Sequence, residues 1–184
     1  MKNLIIGFLC FFVVNIDAQE KTQTPAAPPE YGWKHSLVAG LTLTQAAFTD
    51  WTQGGENALA YTISTDGKSV NDLELNNWTN TYKFAFGQTR LGNQGLRKTD
   101  DIIDLSSVFT YKVGSYVNPY GAVTVKTQFA KGFAYDAAGN STQVSQFLDP
   151  AYLTQSAGAG YQPTKEIKTR FGIAVREVIT NQFN

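Results

Sequence analysis

The segment WKHSLVAGLTLT, residues 33–44, alternates apolar with small or polar residues at a period of two. Trp33, Leu37, Leu41 and Leu43 occupy odd positions, and the even positions hold mainly small or polar residues. Successive side chains of a β-strand point to opposite faces. The stretch therefore predicts a strand with one apolar face and one polar face.

The same alternation recurs along the chain and predicts seven β-strands in all. Two turns compete within residues 58–86, Asp66-Gly67 and Asn76-Asn77. A two-residue turn at 66–67 would place charged residues on the apolar face. We therefore expect one long strand, with a weak point near Gly67, that ends at Asn76-Asn77. The seven predicted strands cover residues 33–44, 58–75, 78–86, 103–113, 123–129, 151–161 and 171–179.

Alternation alone is compatible with two folds. In a β-sandwich the apolar face would form the core and the charged face would meet solvent, whereas in an outer-membrane barrel the apolar face would meet lipid and the charged face would line the interior. The predicted connections favour the barrel, because long and short ones alternate strictly, as extracellular loops and periplasmic turns do. They run over residues 48–57, 76–77, 88–100, 114–118, 131–145 and 162–166. Aromatic residues near strand ends fit a belt at the membrane interface, although Tyr152 has the inward parity. They are Trp33, Trp78, Tyr111, Tyr120, Tyr152 and Tyr161.

The predicted fold class is therefore all-β, an antiparallel up-and-down transmembrane β-barrel with about seven or eight strands present. Single-chain bacterial barrels have an even number of strands, and an open edge cannot face lipid. A count of seven therefore predicts an incomplete barrel, a division of residues 58–75 into two strands, or closure by partner strands in an oligomer.

The N-terminus predicts export. Residues 1–18 form a signal peptide, with an early lysine, an apolar core and Ala18 at the cleavage site. Residues 19–32 form a Pro-rich periplasmic arm, and residues 33–184 form the barrel domain. The predicted location is the outer membrane of a Gram-negative cell, reached through the secretory pathway.

Composition excludes several kinds of site. The 15 basic and 15 acidic residues balance, which argues against a nucleic-acid partner. Beyond residue 18 the chain has no cysteine, and it has one histidine, His35, so cysteine and multi-histidine metal clusters are excluded. His35 is expected at the membrane interface, because it lies on the apolar parity beside Trp33. No G-x-S-x-G motif provides it with a nucleophile. We predict no catalytic residue, no metal and no cofactor.

The candidate binding residues are charges on the face opposite the apolar stripe and residues of one loop. The charges form a salt-bridge network that fills a lumen, or a constriction that selects solutes. They are Asp104, Lys112, Lys126, Arg170 and Arg176.

The loop lies within TQAAFTDWTQGGENALA, residues 44–60, and is predicted to be extracellular. Its Trp51 and Glu56 would cap the lumen or present a contact surface. A further acidic cluster, Asp100, Asp101 and Asp104, suits acid/base chemistry or calcium, or is a solvated group neutralised by Arg97 and Lys98.

Five segments, taken in order and spacing, resemble successive motifs of a Bacteroidetes family of unknown function whose members are regarded as outer-membrane β-barrel proteins. The resemblance runs from about Trp33 to the C-terminus. It implies an exported β-rich protein and brings no substrate or catalytic residue. Family members continue past the segment VREVITNQFN, which implies a fragment or a shortened member. The segments are FTDWTQGGENAL, RKTDDIIDLSSVFTYKVG, KTQFAKGFAY, FLDPAYLTQSAGAGYQP and KTRFGIAVRE.

These features predict a porin-like outer-membrane protein with a structural, pore-forming or solute-binding role rather than a catalytic one. Its partners would be outer-membrane lipid and a small solute. Two alternatives stay open. One is a soluble periplasmic, lipocalin-like β-barrel that binds a small apolar ligand, and the other is an outer-membrane hydrolase.

Overall fold

A computed structural model describes residues 11–13, 31–48, 55–164 and 167–183, and all its regular elements are β-strands. No helix in these ranges has the length and apolar character needed to span a membrane. The strands are β1 (Phe11–Val13), β2 (Gly32–Ala46), β3 (Ala58–Asp72), β4 (Asn76–Leu91), β5 (Arg97–Tyr111), β6 (Val117–Thr127), β7 (Gly132–Tyr135), β8 (Ser141–Ser145), β9 (Ala151–Tyr161) and β10 (Thr169–Ile179).

The long strands form one antiparallel sheet in the order β2-β3-β4-β5-β6-β9-β10, and β7 pairs with β8 in a separate hairpin. Successive long strands are neighbours in the sheet throughout, so the predicted up-and-down arrangement of seven antiparallel strands is confirmed. The short β1, within the predicted signal peptide, pairs with Gly40–Thr42 of β2. Within the described ranges no pairing joins β2 to β10.

The connections define two ends of this sheet. The turn end holds residues 73–75, 112–116, 162–164 and 167–168, and the loop end holds 47–48, 55–57, 92–96 and 128–150. The prediction of strict long and short alternation is wrong at 88–100, where β4 and β5 continue as a hairpin and leave only 92–96 between them. The pairing of Thr89 with Arg97 shows why: polar side chains extend the ladder beyond the apolar stripe.

The β3–β4 hairpin turns three residues earlier than predicted. Asp66 and Gly67 lie inside β3, so the rejection of a turn there is confirmed. The prediction of a turn at Asn76-Asn77 is wrong, because Asp72 already pairs with Asn77 across the two strands. The Asn77 amide donates to the Asp72 carboxylate at 2.9 Å, which anchors the strand ends at this position.

The expected weak point near Gly67 is also displaced. The ladder is continuous there, and the register shift lies between Gly87 and Gln88. A Cβ on Gly67 would lie 3.1 Å from the side chains of both Leu37 and Tyr82. The glycine therefore leaves room above β3 for the side chains of Leu37 and Tyr82, which lie on the two strands that flank it.

The sheet has two chemically distinct faces. The apolar face is formed by the odd-numbered positions of β2, β3, β5, β6, β9 and β10 and by the even-numbered positions of β4. The remaining positions form the charged face. On the apolar face Leu105 is 43%, Phe109 45% and Val123 46% exposed. On the charged face of the same strands Ser106 and Thr124 are half-buried and hydrogen-bonded to each other at 3.2 Å.

This pattern inverts the usual arrangement of a soluble domain. Among the described residues the buried hydrophobic ones are Ala85 and Ala151, and no large side chain is fully buried. Large apolar side chains dominate the exposed surface instead, and Ile173 on β10 is 80% exposed. Apolar groups normally leave water on folding. The sheet as described therefore has no apolar core of its own.

Aromatic pairs lie toward opposite ends of the apolar face. Trp33 and Trp78 contact each other near the turn end, with ring centroids 5.5 Å apart. Phe129 and Phe147 meet edge to face in the connection at the loop end, with centroids 6.5 Å apart. The prediction that Tyr120 joins this belt is wrong, because its pairing with Thr110 puts it on the charged face.

Candidate functional site

The charged face at the turn end holds a group of polar side chains that includes Lys112. The sequence predicts Lys112 as a strand residue, but β5 ends at Tyr111 and Lys112 begins the connection. Its amine donates to the Leu73 carbonyl at 2.6 Å and lies 2.8 Å from the Asp72 carboxylate. These contacts, with the hydrogen bond from the Lys112 backbone amide to the Leu75 carbonyl at 2.8 Å, bind the β5–β6 connection to the β3–β4 turn.

Arg170 and Arg176 lie on the charged face of β10, as predicted, and each stacks on a tyrosine. The Arg176 guanidinium lies 4.4 Å from the Tyr152 ring centroid, and that of Arg170 lies 5.4 Å from the Tyr120 centroid. Cation–π contacts of this kind orient the guanidinium group. The two arginines are six positions apart on one strand and do not form a single constriction.

Asp104 and Lys126 face each other on β5 and β6, with carboxylate and amine 3.9 Å apart. The Lys126 side chain is 55% exposed, so this pair is a weak, solvated contact. The predicted network of five charges is therefore divided: Asp104 and Lys126 form one pair, Lys112 pairs with Asp72, and each arginine contacts its own tyrosine.

A cavity of about 230 Å³ opens among these groups at the turn end of the charged face. Sequence reasoning placed Lys112 and Arg170 on this face but missed the other main lining residues. Lys168 directly precedes β10, and Asn118, which falls in the predicted connection 114–118, lies instead in β6. The main polar and charged residues that line the cavity are Asp72, Lys112, Asn118, Tyr120, Lys168 and Arg170.

The acidic cluster of residues 100–104 does not form a site. Asp101 is 3% exposed and accepts hydrogen bonds from Lys98 at 2.6 Å and from the Phe129 and Ala130 amides at 2.7 and 2.9 Å. Asp100 accepts from the Thr62 hydroxyl at 3.2 Å. Within the ranges that the structure describes, no group of three or more His, Cys, Asp or Glu residues could hold a metal ion.

His35 makes one notable contact, with its Nδ1 2.8 Å from the Ser69 hydroxyl. The imidazole also stacks on Trp33, with planes 7° apart and centroids separated by 5.9 Å. Ser69 is 8% exposed, so its hydroxyl is covered rather than presented to a substrate. The contact joins β2 to β3 on the apolar face, and its geometry is that of a structural pair.

The predicted loop candidates have different outcomes. Trp51 lies outside the described residues. Glu56 is exposed at the loop end, and its carboxylate lies against Gly92, which has a φ of 51°. The backbone around it is fixed, because the Gly92 amide donates to the Asn57 carbonyl at 2.6 Å and the Asn57 side chain accepts from the Phe48 amide.

A second cavity, of about 670 Å³, is a wide and open groove on the apolar face. Trp78 and Phe109 form one side, and Ile173 and Val175 of β10 form the other. Gly121 lies on β6 between them, and a Cβ added to it would meet no atom within 4 Å, so its lack of a side chain opens the floor. This cavity has room for an apolar chain or ring.

Residues 43–133 match a family model described as a protein of unknown function, DUF3078. This match confirms the resemblance to an uncharacterised family. No curated protein and no solved structure matches the chain.

The DUF3078 match begins in β2 and ends in β7, so it contains all of β3, β4, β5 and β6. Asp104, Lys112 and Lys126 lie inside it, whereas Arg170 and Arg176 lie beyond it. The cavity at the turn end is thus built partly from the DUF3078 segment and partly from β9, β10 and the connection between them.

Asp149 anchors the residues that follow β10. It is 4% exposed and accepts hydrogen bonds from the Asn181 and Gln182 amides at 3.0 and 2.9 Å and from the Thr180 hydroxyl at 2.9 Å. Burial raises the pKa of this carboxyl, but the two amides and the hydroxyl outweigh burial and lower the pKa below its ordinary value. The ionised form is therefore the one that holds residues 180–182.

We expect this anchor to release only in strong acid. Because the pKa of Asp149 is lowered on folding, its stabilising contribution is complete above the ordinary pKa of about 3.9 and is lost as pH falls through the lower folded value. The amide NMR shifts of Asn181 and Gln182 should titrate together with a midpoint below that value. Asp149→Asn should abolish the titration, and a midpoint at or above the ordinary value would contradict this assignment.

Proposed function

We propose that this chain is an outer-membrane protein whose sheet is the wall of an up-and-down β-barrel, with a structural, pore-forming or solute-binding role. The observation that carries the proposal is the inverted exposure of the two faces. Leu105, Phe109 and Val123 are more exposed than the small and polar residues behind them. An exposed apolar face is stable in contact with lipid, because the lipid chains surround the apolar side chains and no core beneath the sheet is needed.

The length of the apolar face supports the same proposal. From Trp33 to Leu43 the apolar stripe of β2 spans ten residue steps, about 33 Å along the strand at roughly 3.3 Å per residue. A strand tilted by about 40° would then cover about 25 Å of membrane thickness, the usual height of the apolar band of a barrel. Trp33 and Trp78, near one border of the stripe, have the position of interfacial aromatic residues.

The two sheet edges set a condition on closure. Seven long antiparallel strands run from β2 to β10, both included, so the first and the last of them have the same direction. A fully antiparallel barrel therefore needs an odd number of further strands between them, whereas direct closure would make a parallel seam. Every residue of β10 after Thr169 is exposed. Lipid-facing backbone must be paired, so we propose that additional strands or partner strands cover this edge.

The test is the behaviour of the whole chain expressed in a Gram-negative host. We expect it to be processed after Ala18 and recovered in the outer-membrane fraction. Detergent should be needed for extraction, and unheated samples should migrate differently from boiled ones on electrophoresis. A chain lacking residues 1–18 serves as the control that should stay in the cytoplasm. A processed chain that is soluble and monomeric without detergent would overturn the proposal.

A second candidate is a soluble periplasmic, lipocalin-like barrel that binds a small apolar ligand. The open groove of about 670 Å³ beside Phe109 and Ile173 favours it, because an apolar space of this size would suit such a ligand if the sheet closed around it. In that fold the apolar face would turn inward and the charged face would meet water. The fractionation experiment separates the two candidates, since only this one is consistent with a soluble periplasmic monomer.

A further inference from the structure

The cavity at the turn end of the charged face carries an excess of positive charge. Lys112, Lys168 and Arg170 line it, and Asp72 is the acidic residue among its described lining. Asp72 is already paired with Lys112, their charged atoms being 2.8 Å apart. The charges of Lys168 and Arg170 are therefore left to act on whatever enters. A concave site lined by one sign of charge raises the local concentration of the opposite ion.

The sheet geometry keeps this space open in front of Arg170. In the ladder Arg170 pairs with Gly160 of β9, and Gly160 pairs in turn with Asn118 of β6. A glycine at the middle of this row contributes no side chain, so the row is recessed between Arg170 and Asn118. The Tyr120 ring supports the guanidinium from one side, with its centroid 5.4 Å away.

The chemistry of these groups selects an oxyanion. An arginine guanidinium presents paired N–H donors whose spacing matches the two oxygens of a carboxylate or phosphate group. Lysine adds a compact charge with three donors. Arg170 and Lys168 are both exposed, so a ligand can reach them from solution.

We propose that this cavity binds a small oxyanion, a carboxylate or a phosphate group, through Arg170 and Lys168. The Lys112–Asp72 pair forms the fixed wall beside them, and Asn118 and Tyr120 form the polar floor. The inference goes beyond the proposed membrane role and does not depend on it, because the site lies on the charged face whatever covers the apolar face.

The test is calorimetric titration of the folded protein at low ionic strength with inorganic phosphate, with succinate and with tetramethylammonium chloride. We expect phosphate, succinate or both to bind, and we expect no binding of tetramethylammonium. Arg170→Gln should weaken binding of the anion about tenfold or more, the effect of losing one charge-assisted hydrogen bond. Asp72→Asn should strengthen it, because Lys112 is then free to contact the anion.

Lys83→Gln is the matched control. It removes the same charge from an exposed position of the charged face, on β4 and away from the cavity lining. The affinity of the Lys83→Gln variant for the anion should stay within about twofold of that of the natural chain. Lys168→Gln should weaken anion binding severalfold. Because Lys168 lies outside the strands, this variant keeps the test valid even if Arg170→Gln fails to fold. Binding by neither anion, or equal losses in the Lys83 and Lys168 variants, would overturn the proposal. Both results are independent of membrane fractionation.

Discussion

Replacing Leu105 with arginine is expected to prevent stable assembly of the protein in the outer membrane. Leu105 lies at the middle of β5, on the apolar face, and its side chain is 43% exposed. In the proposed barrel this position faces the centre of the lipid layer, where an arginine costs about 2–4 kcal/mol. The measurement is the urea midpoint of the protein in lipid vesicles, read from its heat-dependent migration.

Thr81→Arg is the matched control for Leu105→Arg. Thr81 is also exposed, and it pairs with Ser106, the neighbour of Leu105, but it lies on the charged face. An arginine there remains among polar side chains, so the urea midpoint should change little. If both variants unfold at the same urea concentration as the natural chain, the apolar face does not meet lipid.

The alternation of residue types predicted the strands and their faces because it is a local property. Trp33, Leu37 and Leu41 share a face for the simple reason that side chains of a strand alternate. The same reasoning identified β2 to β6, β9 and β10, and it excluded a turn at Gly67. The position of the β3–β4 turn depends instead on Asp72, which contacts Asn77 and Lys112. Lys112 is distant in sequence, so no local pattern contains that contact.

The candidate site was predictable as a face but not as a cavity. Alternation places Arg170 opposite the apolar stripe, and the structure agrees. Its contact with Tyr120 crosses β9, where Arg170 pairs with Gly160 and Tyr120 pairs with Gly158, and neither glycine has a side chain to intervene. This arrangement is set by the register of three strands. A one-residue slip in any of them would put the partner on the other face.

Gly158 and Gly172 illustrate a constraint that composition alone does not reveal. They pair directly between β9 and β10, and a Cβ on either glycine would collide with the backbone of the opposite strand. The two strands therefore approach more closely here than any other residue type would allow. The glycine-rich segment AGAGY is typical of a weak strand in the sequence, whereas in the sheet its glycines permit the close contact.

The RKTDDIID segment shows how burial separates neighbouring carboxylates. The sequence leaves open whether its aspartates form one site or a solvated group neutralised by Arg97 and Lys98. In the structure Asp101 is enclosed beside Lys98, while Asp100 is exposed. The difference arises because residues 128–130, which follow β6, fold over Asp101 and give it two backbone amides. Lys98, bound to the same carboxylate, also donates to the Ala130 carbonyl at 2.9 Å.

Asp101→Ala is therefore expected to cause the largest loss of stability of any single carboxylate removal in this segment. The change leaves two backbone amides without their acceptor in a nearly enclosed site and removes the carboxylate that neutralises the Lys98 amine. Removing one partner of a buried ion pair costs about 3–5 kcal/mol. Urea unfolding of the variant measures the loss, and the connection 128–150 should also become more accessible to protease.

Asp100→Ala is the control, because it removes the adjacent carboxylate and only one exposed hydrogen bond, from Thr62. Its stability should fall by about 1 kcal/mol or less. Lys98→Met should be less harmful than Asp101→Ala, since the carboxylate then keeps its two amide donors. Equal losses for the Asp100 and Asp101 variants would mean that residues 128–130 do not depend on Asp101. The connection would then be held by its aromatic contacts, which join Phe84 to Phe129 and Phe129 to Phe147.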